Sequence, residues 1–124
     1  MSMRGIRGAT QVVENSTDAI ISATRELLSA MVARNDLKTT DIVSAFFTVT
    51  TDLNAAYPAA AARAMGWTQV PLLDAQEIEV PGGMPMVIRV LLHVETPLAQ
   101  DAVQHVYLGA AAKLRTDLTG GEDD

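Results

Sequence analysis

A chain of 124 residues with formal net charge −6 is long enough to bury a real core and leaves no room for a second domain. The absence of cysteine excludes disulfides and thiolate metal sites and fits a reducing cytoplasm, while the acidic balance argues against nucleic acid, whose phosphates need a basic surface. Aromatic residues make up only 4% of the chain, so the core is built from Ala, Val, Leu, Ile and Met. No apolar run reaches membrane-spanning length, and no signal core follows Arg4 and Arg7, so the expected location is the cytoplasm.

Residues 3–9 are short and Gly-rich and read as a strand. Asn15-Ser16-Thr17-Asp18 is a helix start, with a capping side chain followed by a carboxylate in the first turn. Ile20, Ala23, Leu27 and Met31 follow at spacings of three and four, with Thr24 and Leu28 beside them, and form one apolar stripe that Asn35-Asp36 ends. Residues 42–51 are rich in β-branched and aromatic side chains and predict a strand covered on both faces. Pro58 opens an alanine-rich helix that Gly66 stops. Residues 70–73 and 76–80 read as two further short strands. Val80-Pro81-Gly82-Gly83 has the type II turn pattern and predicts a hairpin. Residues 86–95 carry the strongest strand signal, with Arg89 in its middle and Pro97 beyond it. Residues 104–108 predict a last short strand, followed by a helical turn through Ala110 to Leu114. The acidic tail at residues 119–124 has no apolar anchor and predicts disorder, leaving residues 1–118 as one domain. Two helices cannot cover both faces of a five-stranded sheet, so one face is expected to meet another subunit in a closed oligomer.

Most catalytic signatures are missing. There is no thiol, and the serines lack nucleophile-elbow glycines. His93 and His105 have no acidic pattern at metal-ligand spacing and read as strand or core histidines, so no metal is expected. What remains is arginine. The spacing of Arg4 and Arg7 puts them on opposite strand faces, and an inward-facing arginine is costly unless an anion meets it. Taken alone, both read first as surface or ion-pair residues. Arg89 lies among Val87, Ile88, Val90 and Leu91. It faces either solvent or an anion, and its apolar neighbours on the same face weaken the first reading. Glu77 is a candidate acceptor, or with Glu79 part of a solvated strand face. Tyr107 alone is more often packing. Arginines with one tyrosine and one carboxylate suit a small polyanion bearing a hydroxyl, because guanidinium forks match carboxylates. Such a site would act by positioning and charge stabilisation, without a nucleophile.

Arg4-Gly5-Ile6-Arg7-Gly8-Ala9, Thr51-Asp52-Leu53, Tyr57-Pro58-Ala59, Val70-Pro71, Gln76-Glu77, Gly82, Ile88-Arg89-Val90, His105-Val106-Tyr107-Leu108 and Leu114-Arg115-Thr116-Asp117-Leu118 occur in one ordered set. In this set the chain resembles the AroH-class chorismate mutases, the small trimeric type. The resemblance implies an α+β (mixed α/β) fold, with a five-stranded mixed sheet packed with two helices in a pseudo-α/β-barrel homotrimer. It implies rearrangement of chorismate to prephenate, in phenylalanine and tyrosine synthesis, at sites between subunits and with no cofactor or metal. Arg89 would donate to the ether oxygen. Arg7 and Tyr107 would hold the side-chain carboxylate, and Glu77 would accept from the ring hydroxyl. Arg63 and Arg115 would stand at the mouth, where the C-terminal segment orders over substrate. Tyr57, Ala59, Leu72, Leu73, Asp74 and Leu114 would line the substrate. Tyr57 stands where phenylalanine is usual, Ala60 where some members carry lysine, and Asp74 where a small thiol or hydroxyl residue is common. Two carboxylates, Asp74 and Glu77, near one hydroxyl would disfavour double ionisation.

Two other readings are a non-catalytic trimer that binds a small dicarboxylate, and a structural trimer whose arginines form subunit ion pairs. The four residues Arg7, Arg89, Tyr107 and Arg115 together favour the enzyme.

Overall fold

The computed structural model describes residues 1–114. Arg115, the closure expected of the C-terminal segment and the acidic tail at residues 119–124 lie outside the described residues. The elements run β1 (Ser2–Gln11), α1 (Thr17–Arg34), β2 (Ile42–Val49), α2 (Ala59–Ala64), β3 (Leu72–Gln76), β4 (Val87–Thr96) and β5 (Val106–Leu108), with a 3-10 segment at Gly109–Leu114. They build one five-stranded mixed sheet in the order β3-β2-β4-β1-β5. The β1/β4 and β2/β4 pairs are antiparallel, and β1/β5 and β2/β3 are parallel. The fold is thus the mixed α+β sheet with few helices that the sequence predicts.

The helix α1 starts where its cap is written. The Ser16 side chain accepts the N–H of Ala19, and Asp18 lies in the positive first turn. Its buried stripe is Ile20, Thr24, Leu27, Leu28 and Met31. Of these, Leu27, Leu28 and Met31 pack on one sheet face, where Ile6, Ala45, Phe47, Val90, Leu92, Val94 and Val106 complete the main core, and Ile20 packs with Val12, Leu53 and Ile88 in a smaller cluster. Buried Asn35 at the helix end ties α1 to the chain ahead of β5. Its Nδ2 donates to the carbonyls of Met31 and Gln104, and its Oδ1 accepts the Gln104 N–H at 2.8 Å.

The sheet departs from three sequence expectations. The strand candidates at residues 70–73 and 76–80 become the single strand β3. The Glu77 N–H still donates to the carbonyl of Val49, the last residue of β2. Beyond Val49 the chain turns to β4, with Thr50 N–H on the Val87 carbonyl, so residues 78–80 have no strand to pair with. The turn at residues 80–83 forms as predicted, with Gly83 N–H donating to the Val80 carbonyl at 3.0 Å and Gly82 at φ +83°. It is no hairpin, because β2 lies between β3 and β4 in the sheet. The strand β2 is not covered on both faces within one chain: Phe47 is fully buried, whereas Phe46, on the other face, is 38% exposed.

Candidate active site

Register places the candidate residues. Residues directly opposite one another in neighbouring strands share a face. Arg89 of β4 pairs with Ala9 of β1 and Thr48 of β2, and Ala9 pairs in turn with Tyr107 of β5. One row of the face away from the helices therefore reads Tyr107, Ala9, Arg89, Thr48. The next row is Arg7, Leu91, Phe46 and Leu73. Arg7 and Arg89 come from adjacent antiparallel strands, two rungs apart, and project from the same side of the sheet.

They line one hollow of about 280 Å³ with Gly8, Phe46, Thr48, Val90 and Leu91. Glu77 closes the Arg89 side. Its Oε2 accepts the Arg89 Nε–H at 2.8 Å and the Thr48 hydroxyl at 2.7 Å. The Arg89 and Glu77 side chains are only 25% and 16% exposed, so the pair works in a partly desolvated setting where charge counts for more than at a free surface. Two guanidiniums, Arg7 and Arg89, line this hollow on a chain of net charge −6. Guanidinium forks suit an anionic ligand.

The other side of the row is apolar. Ala9, Val87 and Ala111 are buried together, with Tyr107, Leu114 and Met84 packed against them, so the 3-10 segment Gly109–Leu114 covers this part of the face. His105, just ahead of β5, accepts the Arg7 backbone N–H on Nδ1 at 3.0 Å. His93 lies on the open face, with Nδ1 2.9 Å from the Ser44 hydroxyl and its ring edge-to-face with Phe46. Among the described residues no three His, Cys, Asp or Glu side chains group as metal ligands. No helix among them is long and apolar enough to cross a membrane. A second hollow of about 270 Å³, between the end of β1 and α1, has Glu26 as the one ionisable side chain in its lining.

The remaining candidates lie elsewhere in the chain. Leu73 faces the open side and is 58% exposed, but Leu72 and Asp74 pair with Ala45 and Phe47 and face the helices. Asp74 and Glu77 thus occupy opposite sides of the sheet within one chain, and the crowding of two carboxylates expected from their spacing does not arise there. Ala59 is buried in α2, while Arg63 and Tyr57 are exposed on that helix and on the loop before it. None of these lines the hollow. Sequence reasoning missed Thr48, Phe46 and Leu91. The period-two alternation of β2 and β4 carried the signal, but only the pairing register shows which alternate set joins the arginines.

The chorismate mutase type I family profile matches residues 3–118. The chain belongs to the chorismate mutase type I family. Chorismate mutase AroH of Thermus thermophilus is 49% identical over 121 residues, spanning 97% of this chain and 99% of the relative. Chorismate mutase AroH of Bacillus subtilis is 41% identical over 120 residues, spanning 96% and 94%. The solved chorismate mutase of Clostridium thermocellum superposes with a TM-score of 0.88 at 48% identity, covering 89% of this chain and 98% of that one. The similarity runs through the elements that carry the candidate site, including the strands that present Arg7 and Arg89.

Proposed function

We propose that this enzyme is an isomerase that rearranges chorismate to prephenate in aromatic amino acid biosynthesis. The observation that carries the mechanism is the Arg89–Glu77–Thr48 cluster beside Arg7 on one open sheet face. In the rearrangement the bond from ring to ether oxygen breaks as the enolpyruvyl carbon bonds to the ring. Electrons move within one molecule, so no nucleophile, redox partner or external proton is needed. What helps is a compact substrate pose and a donor aimed at the ether oxygen, where negative charge develops. Arg89 supplies that donor. Arg7 and Tyr107 take the side-chain carboxylate, and Glu77 accepts the ring hydroxyl while its hydrogen bonds hold Arg89 in place.

The working unit is a homotrimer in the cytoplasm, with each site shared by two chains. The hollow of about 280 Å³ lies on an open face of the sheet. Exposed Phe46 and Leu73 flank it as a partner surface would. Tyr57 and Leu73, exposed at the β3 edge of one chain, then wall the hollow of its neighbour, with Arg63 at its mouth. A non-catalytic dicarboxylate binder is not favoured, since the family and its named relatives are chorismate mutases.

Incubation of purified protein with chorismate, with products followed by NMR, tests this reading. Prephenate formed far above the uncatalysed rate is the expected result. A folded protein without acceleration would refute it.

A further inference from the structure

The first turn of α2 has a gap in its own capping. The N–H groups that open a helix have no partner within it and need an acceptor from elsewhere. Pro58 holds the cap position and has no side-chain acceptor to give. The N–H groups of Ala60 and Ala61 are served by the Tyr57 and Pro58 carbonyls, at 3.0 and 2.9 Å. The N–H of Ala59 is served from another element: Oδ1 of Asp74, on β3, accepts it at 3.0 Å. Asp74 reaches it because β3 pairs Asp74 with Phe47 on the helix-covered face. Ala59 is buried in the main core, so this bond joins β3 to a fixed point of the helix and not to a fraying end. Arg63 lies four residues on, next to Ala59 along the same helix face, and is the helix's single cation.

We propose that Asp74 is a positioning residue for substrate binding: by holding the Ala59 N–H it fixes the start of α2 on β3, and with it the stations of Tyr57 and Arg63. This rests on the reading that those two residues meet the substrate of the adjoining chain. It assigns Asp74 a role that needs no contact with the reacting atoms. Burial pushes the Asp74 carboxyl up from its ordinary value, against the opposing pulls of the Ala59 N–H and the Arg63 charge. A carboxylate held in an unfavourable setting by a specific donor is consistent with a fixed structural link. With alanine at position 60, Arg63 has no second cation on α2 to make up for a misplaced helix.

Three measurements test the link. In the unaltered protein, the Ala59 amide resonance should move with pH as Asp74 titrates, with a midpoint above the ordinary aspartate value; an Ala59 amide blind to that titration would overturn the tether. In Asp74→Leu, which keeps the bulk but offers no acceptor, KM for chorismate should rise roughly tenfold, the loss expected of one capping bond, with a smaller change in kcat. Asp74→Asn keeps the acceptor oxygen and should recover most of that KM. If Ala59 exchange quickens in Asp74→Leu while KM stays put, Asp74 serves stability alone and the positioning role is lost. If both variants raise KM alike, the charge and not the tether is what matters, and the proposal falls. Absence of turnover by the unaltered enzyme would count against the proposed function instead, leaving the amide titration to judge the tether.

Discussion

Oε2 of Glu77 lies 2.8 Å from Nε of Arg89 and 2.7 Å from the Thr48 hydroxyl, so one carboxylate oxygen ties the chain just after β3 to β2 and, beyond it, to β4 on the open face. The Nε bond constrains the guanidinium plane. Replacing Arg89 by alanine removes the donor proposed for the ether oxygen. At comparable sites such a loss lowers kcat by ~10²–10³. Arg89→Ala should show that fall in steady-state turnover of chorismate, with the proposed trimer intact by sedimentation. Unchanged turnover would sink the mechanism.

Thr48 makes a sharper test, because it touches no proposed reacting atom. Thr48→Val keeps the shape and the β-branching but withdraws the hydroxyl from Glu77. A hydrogen bond to a charged group contributes ~1.5–3 kcal/mol, part of which a neighbouring water recovers at a partly buried site. The expected result is a drop in kcat/KM of roughly tenfold, at constant thermal stability to within a few degrees. An effect as large as that of Arg89→Ala would place Thr48 at the substrate itself.

The long elements were legible because each carries its own period. The α1 stripe from Ile20 to Met31 and the alternation of β4 around Arg89 can be read without knowledge of a partner. The edge strand could not be read this way. Whether residues 78–80 extend β3 depends on where β2 ends, a fact written at Val49 and Thr50 and invisible in the residues concerned. The same holds for the site. Arginines in apolar strand contexts stood out as costly, so Arg7 and Arg89 were found; Thr48 is an unremarkable strand residue until register sets it opposite Arg89. Asp74 and Glu77 look adjacent at a spacing of three, yet that odd spacing along extended chain sends them to opposite sides of the sheet.

The raised carboxyl of Asp74 sets a pH dependence opposite to that of an ion-paired aspartate. Its cause is burial, only partly offset by the Ala59 N–H and Arg63. The folded chain therefore holds the Asp74 proton more tightly than the unfolded chain does. Between the ordinary aspartate value and the raised one the native state binds more protons, so this group's contribution to stability falls as pH rises through that window. Above that window its ionised form works against the fold. Asp74→Asn removes that charge and keeps the acceptor. The variant should melt above the parent at pH values above the window, and the gap should close as pH falls below it. A gap that widens on acidification would mean that pairing with Arg63, and not burial, dominates.

Gly8 links the core to the site in a way a single substitution can expose. It lies between Arg7 and Ala9 on β1, with its missing side chain directed at α1. A Cβ built there would stand 2.5 Å from Met31 Sδ and 3.1 Å from Leu27 Cδ1. Both side chains are fully buried, so neither can swing into solvent to make room. Either Met31 repacks within the core or the strand moves away from the helix, and Arg7, one residue back on the opposite face, moves with the strand. Overpacking of this kind typically destabilises by ~1–3 kcal/mol. Gly8→Ala should lose that much in urea unfolding at fixed protein concentration, and should raise KM through the displaced Arg7. Shortening the obstructing side chain separates the two contributions. Met31→Val alone opens space and destabilises, but combined with Gly8→Ala the losses should be less than additive, and KM should return toward the parent value. Strictly additive losses would show that β1 accommodates the extra methyl without pressing on Met31.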